Sequence, residues 1–174
     1  MDFEPMRLFL SAENIALHKE YLKTLRLRYS VLTKSAPVLS GLDLTDIYRR
    51  LTRSPLKDDA LERLSEIRAH EIFFDSFSKK RVSCKSLRRQ FGSEESFLYE
   101  LIKAAKSARS GFLFVYSGST VRYELVGDGE YRFTKAFPVL AVDICEHAYF
   151  RDYGFDRVRY IESAISCLDL GKIS

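Results

Sequence analysis

Apolar residues with helical periodicity occur in two long segments of the N-terminal half of the chain. This pattern predicts a fold that contains a helical lobe. In residues 11–32, apolar side chains recur at steps of three and four from Ile15 to Leu32, which defines one face of an α-helix. Ser11 occupies the position of an N-cap. Residues 58–77 show the same periodicity and begin with two aspartates. Turn residues lie between the two helical segments, and a short helix is predicted at 44–53.

The second half of the chain changes character, because short β-rich runs replace the long stripes. The pattern predicts helices at 93–111 and 155–170 and strands at 112–117, 120–126 and 137–143. The predicted fold class is therefore α+β, with an N-terminal helical hairpin followed by an α/β lobe that carries a small three-stranded antiparallel sheet. We expect two domains, a helical hairpin domain at 1–82 and an α/β domain at 83–174.

Composition narrows the classes of function. The 174 residues include 46% hydrophobic residues, enough for a substantial core, and three cysteines without a CxxC pair, which argues against a disulfide framework or a thiolate zinc site. We identify no secretion signal and no membrane span, and we expect a cytoplasmic protein. The basic run at 79–90 is interpreted as a solvated surface, and no nucleic-acid partner is expected.

The three histidines are the most informative polar residues. His18 and His70 lie on the apolar stripes of two different helices, and His147 follows Asp143, which ends a predicted strand, by four residues. One inward histidine is usually a hydrogen-bonded core residue, and an aspartate at the end of a strand is often a helix cap. Convergence of all four side chains would instead let one metal ion compensate for their burial. Imidazole with carboxylate suits iron, manganese or zinc, but the spacing does not reveal the reaction.

Three segments resemble the iron/manganese superoxide dismutase family. "SAENIALH" (11–18) is similar to the segment that carries the family's first metal ligand, and "AHEIFF" (69–74) is similar to a reduced form of the second. "DICEHAYFRDY" (143–153) resembles the family's most distinctive signature, which supplies two ligands. The likeness extends over roughly residues 11 to 170.

The resemblance implies a mononuclear centre that disproportionates superoxide to oxygen and hydrogen peroxide. One ion of iron or manganese per chain would be bound by His18, His70, Asp143 and His147. Asp143 would also accept a hydrogen bond from solvent on the ion. Glu146 and Tyr149 match residues of the family's subunit contact, which implies a homodimer, and Arg157 matches an arginine near the mouth of the substrate funnel.

The residues around the predicted centre depart from the family. Arg26 stands where the family has a gateway tyrosine, and Glu66 stands where iron members have a glutamine. Arg26, Glu66 and Arg157 are therefore the candidate catalytic residues. Glu66 lies one turn before His70, so its carboxylate either approaches the ion or turns outward into a surface ion pair, for which Arg26 is a candidate partner. The sequence does not choose between iron and manganese.

Three functions follow, in order of preference. The first is a divergent superoxide dismutase. The second is a metal-binding relative with altered or lost dismutase activity, which the changes at Arg26 and Glu66 favour. The third is a non-catalytic dimeric interaction module in which the histidines only pack.

Overall fold

The computed structural model describes residues 3–34, 46, 57–80, 82–131, 133 and 136–173. Within these residues the chain forms a helical lobe followed by helices around a small sheet, which confirms the predicted α+β class. The elements are α1 (Ala12–Lys34), α2 (Lys57–Asp75), α3 (Lys85–Phe91), α4 (Glu94–Ser107), β1 (Phe112–Tyr116), β2 (Arg122–Val126), β3 (Leu140–Asp143), α5 (Glu146–Tyr153) and α6 (Arg157–Ser166), with 3-10 helices at Glu4–Leu8 and Leu170–Lys172.

The two N-terminal helices pack against each other as predicted. The amide of Asn14 donates a hydrogen bond to Ser11 Oγ at 3.1 Å, so Ser11 has the predicted capping role. Helix α2 ends at Asp75, two residues earlier than expected, because Phe77 leaves the helix to form a β-bridge with Leu168. The short helix predicted at 44–53 lies, apart from residue 46, outside the described residues.

The sheet has the strand order β2-β1-β3, and both pairs are antiparallel. Every residue of β1 and β3 is buried, whereas β2 is partly exposed at the edge. The register places Phe112 opposite Asp143. An apolar strand is therefore the immediate neighbour of the aspartate, and this accounts for its complete burial.

Some boundaries differ from the predictions for local reasons. The helix predicted at 93–111 ends at Ser107, because Ala108 is extended and Gly111 turns into β1 with φ +116°. A side chain at Gly111 would place its Cβ 2.0 Å from the carbonyl oxygen of Val126. The predictions missed two short helices, α3 within the basic run and α5 directly after the aspartate of the signature segment.

The arrangement of the elements brings the polar segments together. Helix α2 packs on β3, and α1 packs on both α2 and α5. Among the helices of the described residues, none combines the length and the apolar character that crossing a bilayer requires.

Candidate metal centre

Four side chains from distant parts of the chain meet where α1, α2, β3 and α5 pack together. His18 lies on α1 and His70 on α2, and both are 1% exposed. Asp143 is the last residue of β3 and is completely buried, and His147 follows it in the first turn of α5. The cluster contains every histidine of the chain, since the sequence has three.

One carboxylate oxygen lies at the centre of the cluster. Asp143 Oδ2 is 2.9 Å from His147 Nε2, 3.2 Å from His18 Nε2 and 3.5 Å from His70 Nε2. One potential ligand atom from each of the four residues lies within 4.8 Å of all the others. Three imidazole nitrogens and one carboxylate oxygen therefore face a common point.

The cluster leaves buried polar atoms without hydrogen bonds. Asp143 Oδ1 accepts a hydrogen bond from the Cys145 amide at 2.9 Å, but Oδ2 has no hydrogen-bond partner, and neither ring nitrogen of His18 has one. The imidazole nitrogens lie close to Asp143 Oδ2, but their angles are not those of hydrogen bonds. Because unpaired buried polar groups are costly, the donor set fits a cation bound among the four side chains.

Two of the three imidazoles and the carboxylate are in the protonation states that metal binding requires. Burial lowers the pKa of His18 and lowers the pKa of His70 to about 4, so both imidazoles are neutral near pH 7. Burial opposes ionisation of Asp143, but the positive charge of the adjacent His147 outweighs it and holds the pKa of Asp143 well below its usual value. Burial opposes protonation of His147, but the charge of Asp143 outweighs it and raises the pKa of this imidazole. Because metal binding requires neutral imidazoles beside an ionised carboxylate, an ion at the centre would displace a proton from His147.

Contacts around the cluster hold the imidazoles in place. His70 Nδ1 donates a hydrogen bond to the Glu66 carbonyl oxygen at 2.8 Å, so the neutral ring has its lone pair on Nε2, which lies 3.5 Å from Asp143 Oδ2. The ring of His18 packs against Phe73 and the ring of His70 against Phe112, with centroids 5.0 and 5.1 Å apart. Such contacts around a site orient its ligands.

Comparison with known proteins agrees with this geometry. Residues 79–174, more than half of the chain, match the model of the iron/manganese superoxide dismutase C-terminal domain. The chain belongs to the iron/manganese superoxide dismutase family. The matched region contains Asp143 and His147, whereas His18 and His70 come from the preceding helical lobe.

Individual dismutases show how far the chain has diverged from them. It is 29% identical over 173 residues to the iron superoxide dismutase of Campylobacter jejuni, covering 88% of this chain and 76% of that protein. It is 29% identical to the iron superoxide dismutase of Cupriavidus metallidurans, covering 64% and 61%. It is 34% identical to a manganese superoxide dismutase of Halobacterium salinarum, covering 58% and 54%. The chain therefore spans less than two thirds of the length of the last two dismutases.

Of the three candidate catalytic residues, Glu66 lies nearest to the centre. Its carboxylate is half-buried and accepts a hydrogen bond from the Tyr21 hydroxyl at 2.8 Å. Arg26 is half-exposed and pairs with Glu71 at 2.7 Å rather than with Glu66. Arg157 donates to the carbonyl oxygens of Ala105 and Ala108 at the end of α4.

The two residues assigned to the subunit contact of the dismutase family lie in different environments. Glu146 is exposed at the start of α5. Tyr149 is 4% exposed and stacks on Tyr160, with ring centroids 4.9 Å apart. Glu146 is thus accessible to a partner, whereas Tyr149 supports α5 from within the chain.

Two further residues were not among the predicted site residues: Tyr21, whose ring contacts ligand candidates of this dismutase-like centre, and Asp128. The ring of Tyr21 packs at a tilt against two of the three imidazoles. Burial raises the pKa values of Tyr21 and Glu66, and the charge of Asp128 adds to both shifts. The position of Tyr21, three residues after His18, was a usable signal, since such residues are neighbours on a helix. Asp128 lies in a turn whose place beside α2 no local pattern indicates.

Proposed function

We propose that the chain binds one iron or manganese ion and disproportionates superoxide to oxygen and hydrogen peroxide. The supporting observation is the convergence of three imidazole nitrogens on one buried carboxylate oxygen. The ligands in this proposal are His18, His70, Asp143 and His147. Membership of the dismutase family supports the reaction, and relatives that use iron and relatives that use manganese both match the chain.

The ion, when bound, would supply a centre that alternates between two oxidation states. The chain supplies the ligands and their orientation. Asp143 contributes a buried negative charge, and the Glu66 carbonyl oxygen keeps the His70 proton on Nδ1. The Tyr21 hydroxyl donates a hydrogen bond to Glu66 Oε1, and this hydrogen-bonded pair lies beside the centre. Packing of Phe73 and Phe112 excludes water from the sides of His18 and His70.

The test combines metal analysis with a superoxide assay on the full chain, purified after expression with iron or with manganese. We expect one ion per chain and superoxide removal in proportion to bound metal. His70→Gln should lose both. Asn14→Ala is the control, because Asn14 is another buried polar residue, on α1, that donates a hydrogen bond to a carbonyl oxygen of α5 but lies outside the cluster. Stoichiometric metal with the superoxide decay rate of buffer would reject the dismutase reaction.

A second candidate function is a metal-binding relative with altered or lost dismutase activity. Glu66 favours it, because a carboxylate beside the ion stabilises the higher oxidation state more than a neutral amide does. Arg26 and Arg157, which we proposed as catalytic, bind other partners in the chain. If Glu66→Gln changes neither the activity nor the optical spectrum of the metal-loaded protein, this second candidate is wrong.

We further propose a cytoplasmic homodimer whose contact includes Glu146, with Tyr149 supporting α5. Exposed aromatic rings beside α5 support such a contact, since Phe155 is 95% and Phe150 46% exposed, with ring centroids 5.4 Å apart. Cytoplasmic location agrees with three free cysteines. We retain the domain division at 82/83, which lies near the start of the family match at residue 79. Sedimentation of the wild type and of Phe155→Ser would test the dimer.

A further inference from the structure

Among the described residues, one hydrogen bond orients the carboxylate of Asp143. Its Oδ1 accepts from the Cys145 amide at 2.9 Å, whereas Oδ2, which faces the three imidazoles, has no hydrogen-bond partner. An aspartate that binds the amide two residues ahead forms an Asx turn. Because this bond fixes one oxygen, it also sets the direction of the other. The place of the Cys145 amide therefore determines where the central oxygen of the cluster lies.

The side chain of Cys145 is anchored in turn. It is 3% exposed, and its Sγ accepts hydrogen bonds from the Gly111 amide and the Ser110 hydroxyl, both at 3.2 Å. Gly111 precedes β1, and its carbonyl oxygen accepts from the Ile144 amide at 2.9 Å. The sulfur therefore takes the Gly111 amide at the point where the pairing of β1 with β3 ends, at Asp143, and the chain turns into α5.

The sulfur is not placed for a chemical role of its own. It is not among the four converging ligand atoms. Burial raises the pKa of the Cys145 thiol, and only a thiolate is an effective nucleophile or metal ligand. The thiol proton remains on Sγ, which donates to the Gly111 carbonyl oxygen at 3.6 Å. The polar contacts of this sulfur therefore serve to hold the chain at residue 145.

We propose that Cys145 is a positioning residue of the metal centre, whose sulfur, held by Ser110 and Gly111, fixes the amide that directs the Asp143 carboxylate at the three imidazoles. The sulfur acts on the ion through Asp143, because its own contacts are with residues just before β1. The inference rests on the proposed function, since it requires a metal ion at the centre, but it does not depend on dismutation.

The test measures the iron affinity of the full chain by competition with a chelator, together with the absorption spectrum of the bound iron. Cys145→Ala removes the sulfur that accepts both hydrogen bonds, and Cys145→Ser keeps an acceptor at the same position. Ser110→Ala removes one of the two donors and leaves the sulfur in place. Ser86→Ala is the control for Ser110→Ala, because the hydroxyl of Ser86 also contacts a buried cysteine sulfur, that of Cys84, at 3.0 Å.

Cys84→Ala is the matched control for Cys145→Ala. Cys84 is also buried and also stands directly before a short helix, and its amide also donates to a carboxylate, that of Glu94, at 2.7 Å. Its Sγ donates to a backbone carbonyl oxygen, that of Ile173, at 2.7 Å. The two cysteines thus have similar surroundings, but only the amide of Cys145 binds a residue of the metal cluster.

Cys145→Ala is expected to weaken iron binding about tenfold, the lower end of the effect of losing a group that orients a metal ligand, and to shift the absorption band of the bound iron. Cys145→Ser should recover most of the affinity. Ser110→Ala should weaken binding about threefold, because the Gly111 amide still holds the sulfur. Cys84→Ala should lower the stability of the metal-free chain to urea, as Cys145→Ala does, yet both controls should keep the iron affinity and spectrum of the wild type.

The possible failures are distinguishable. If iron is bound but Cys145→Ala keeps the affinity and spectrum of Cys84→Ala, or Cys145→Ser binds iron as weakly as Cys145→Ala, the sulfur does not position Asp143, and the proposed function is unaffected. If Cys145→Ala does not fold, Ser110→Ala decides, and iron affinity and spectrum equal to those of Ser86→Ala would overturn the inference. If the wild type takes up neither iron nor manganese, the proposed function is wrong and this inference is wrong with it.

Discussion

The hydroxyl of Ser76 joins the helix that carries His70 to the strand that carries Asp143. Ser76 is completely buried just beyond the end of α2. Its Oγ donates to the Ile72 carbonyl oxygen and accepts from the Ala141 amide, both at 2.7 Å. Among the strands of the described residues, β3 has only β1 as a hydrogen-bonded neighbour, so Ser76 satisfies an amide on the other edge of β3. We predict that Ser76→Ala destabilises the fold and loosens the metal centre.

The magnitude follows from the burial of both partners. Ala141 is completely buried, so without the hydroxyl its amide loses a partner that water does not replace. Leaving one buried donor unsatisfied costs about 1–3 kcal/mol, and the small gap left by the hydroxyl adds little. We therefore expect the free energy of unfolding to fall by about 2 kcal/mol.

The assay is urea denaturation of the metal-free and metal-loaded chain, with metal retention measured after a chelator challenge. Ser107→Ala is the matched control, because Ser107 Oγ also donates to a helix carbonyl oxygen at 2.7 Å but is exposed, and its loss should cost less than about 0.5 kcal/mol. The denaturant slope should not change. If Ser76→Ala unfolds at the same urea concentration as Ser107→Ala and retains metal equally, the hydroxyl does not join α2 to β3.

Three further predictions concern the fold and the charges of the centre. Gly111→Ala should yield no stably folded protein, seen as loss of the cooperative unfolding transition, because its Cβ would clash with the Val126 carbonyl oxygen; a normal transition would contradict the backbone at this turn. In metal-free protein, burial lowers the pKa of His70 to about 4, compared with 6.5 in the unfolded chain. Between these two pH values only the unfolded chain binds the proton, so the contribution of His70 to the free energy of unfolding falls as the pH falls. The destabilisation by His70→Gln, from urea titrations at pH 7 and pH 4.5, should therefore shrink by about 2 kcal/mol at the lower pH, and an unchanged difference would show that the imidazole is already protonated in the folded state. Arg157→Met should cost about 1–2 kcal/mol of stability, because its guanidinium binds two carbonyl oxygens at the end of α4; a fall in superoxide removal per bound ion, without loss of stability, would instead support its proposed catalytic role.

Much of this molecule was predictable because its signals are local. The apolar stripe around His18 and the cap at Ser11 depend on residues within one or two helical turns of each other. The β-rich runs after Gly111 likewise predicted the three strands. Local signals failed where short helices follow other elements. Helix α5 starts after Cys145, whose side chain makes no capping hydrogen bond, so the sequence around it lacks the usual indication of a helix start.

The environment of Glu66 shows what the sequence left open. Its spacing from His70 was compatible with a carboxylate at the centre or with an outward ion pair to Arg26. The structure places it beside the centre under Tyr21 and gives Arg26 a different partner, Glu71. A helical spacing restricts a side chain to one face, but the partner on that face comes from another helix, and the packing of α1 on α2 determines it.

The sequence by itself determined the α+β class, the two histidine-bearing helices and the residue types that a metal ion prefers, because periodicity and side-chain chemistry are properties of neighbouring residues. Only the tertiary structure decided that Asp143 Oδ2 faces all three imidazoles and that the ring of Tyr21 packs against His147. Those relations join residues up to 129 positions apart, from His18 to His147, and burial of a common core brings such residues together without leaving a local pattern in the chain.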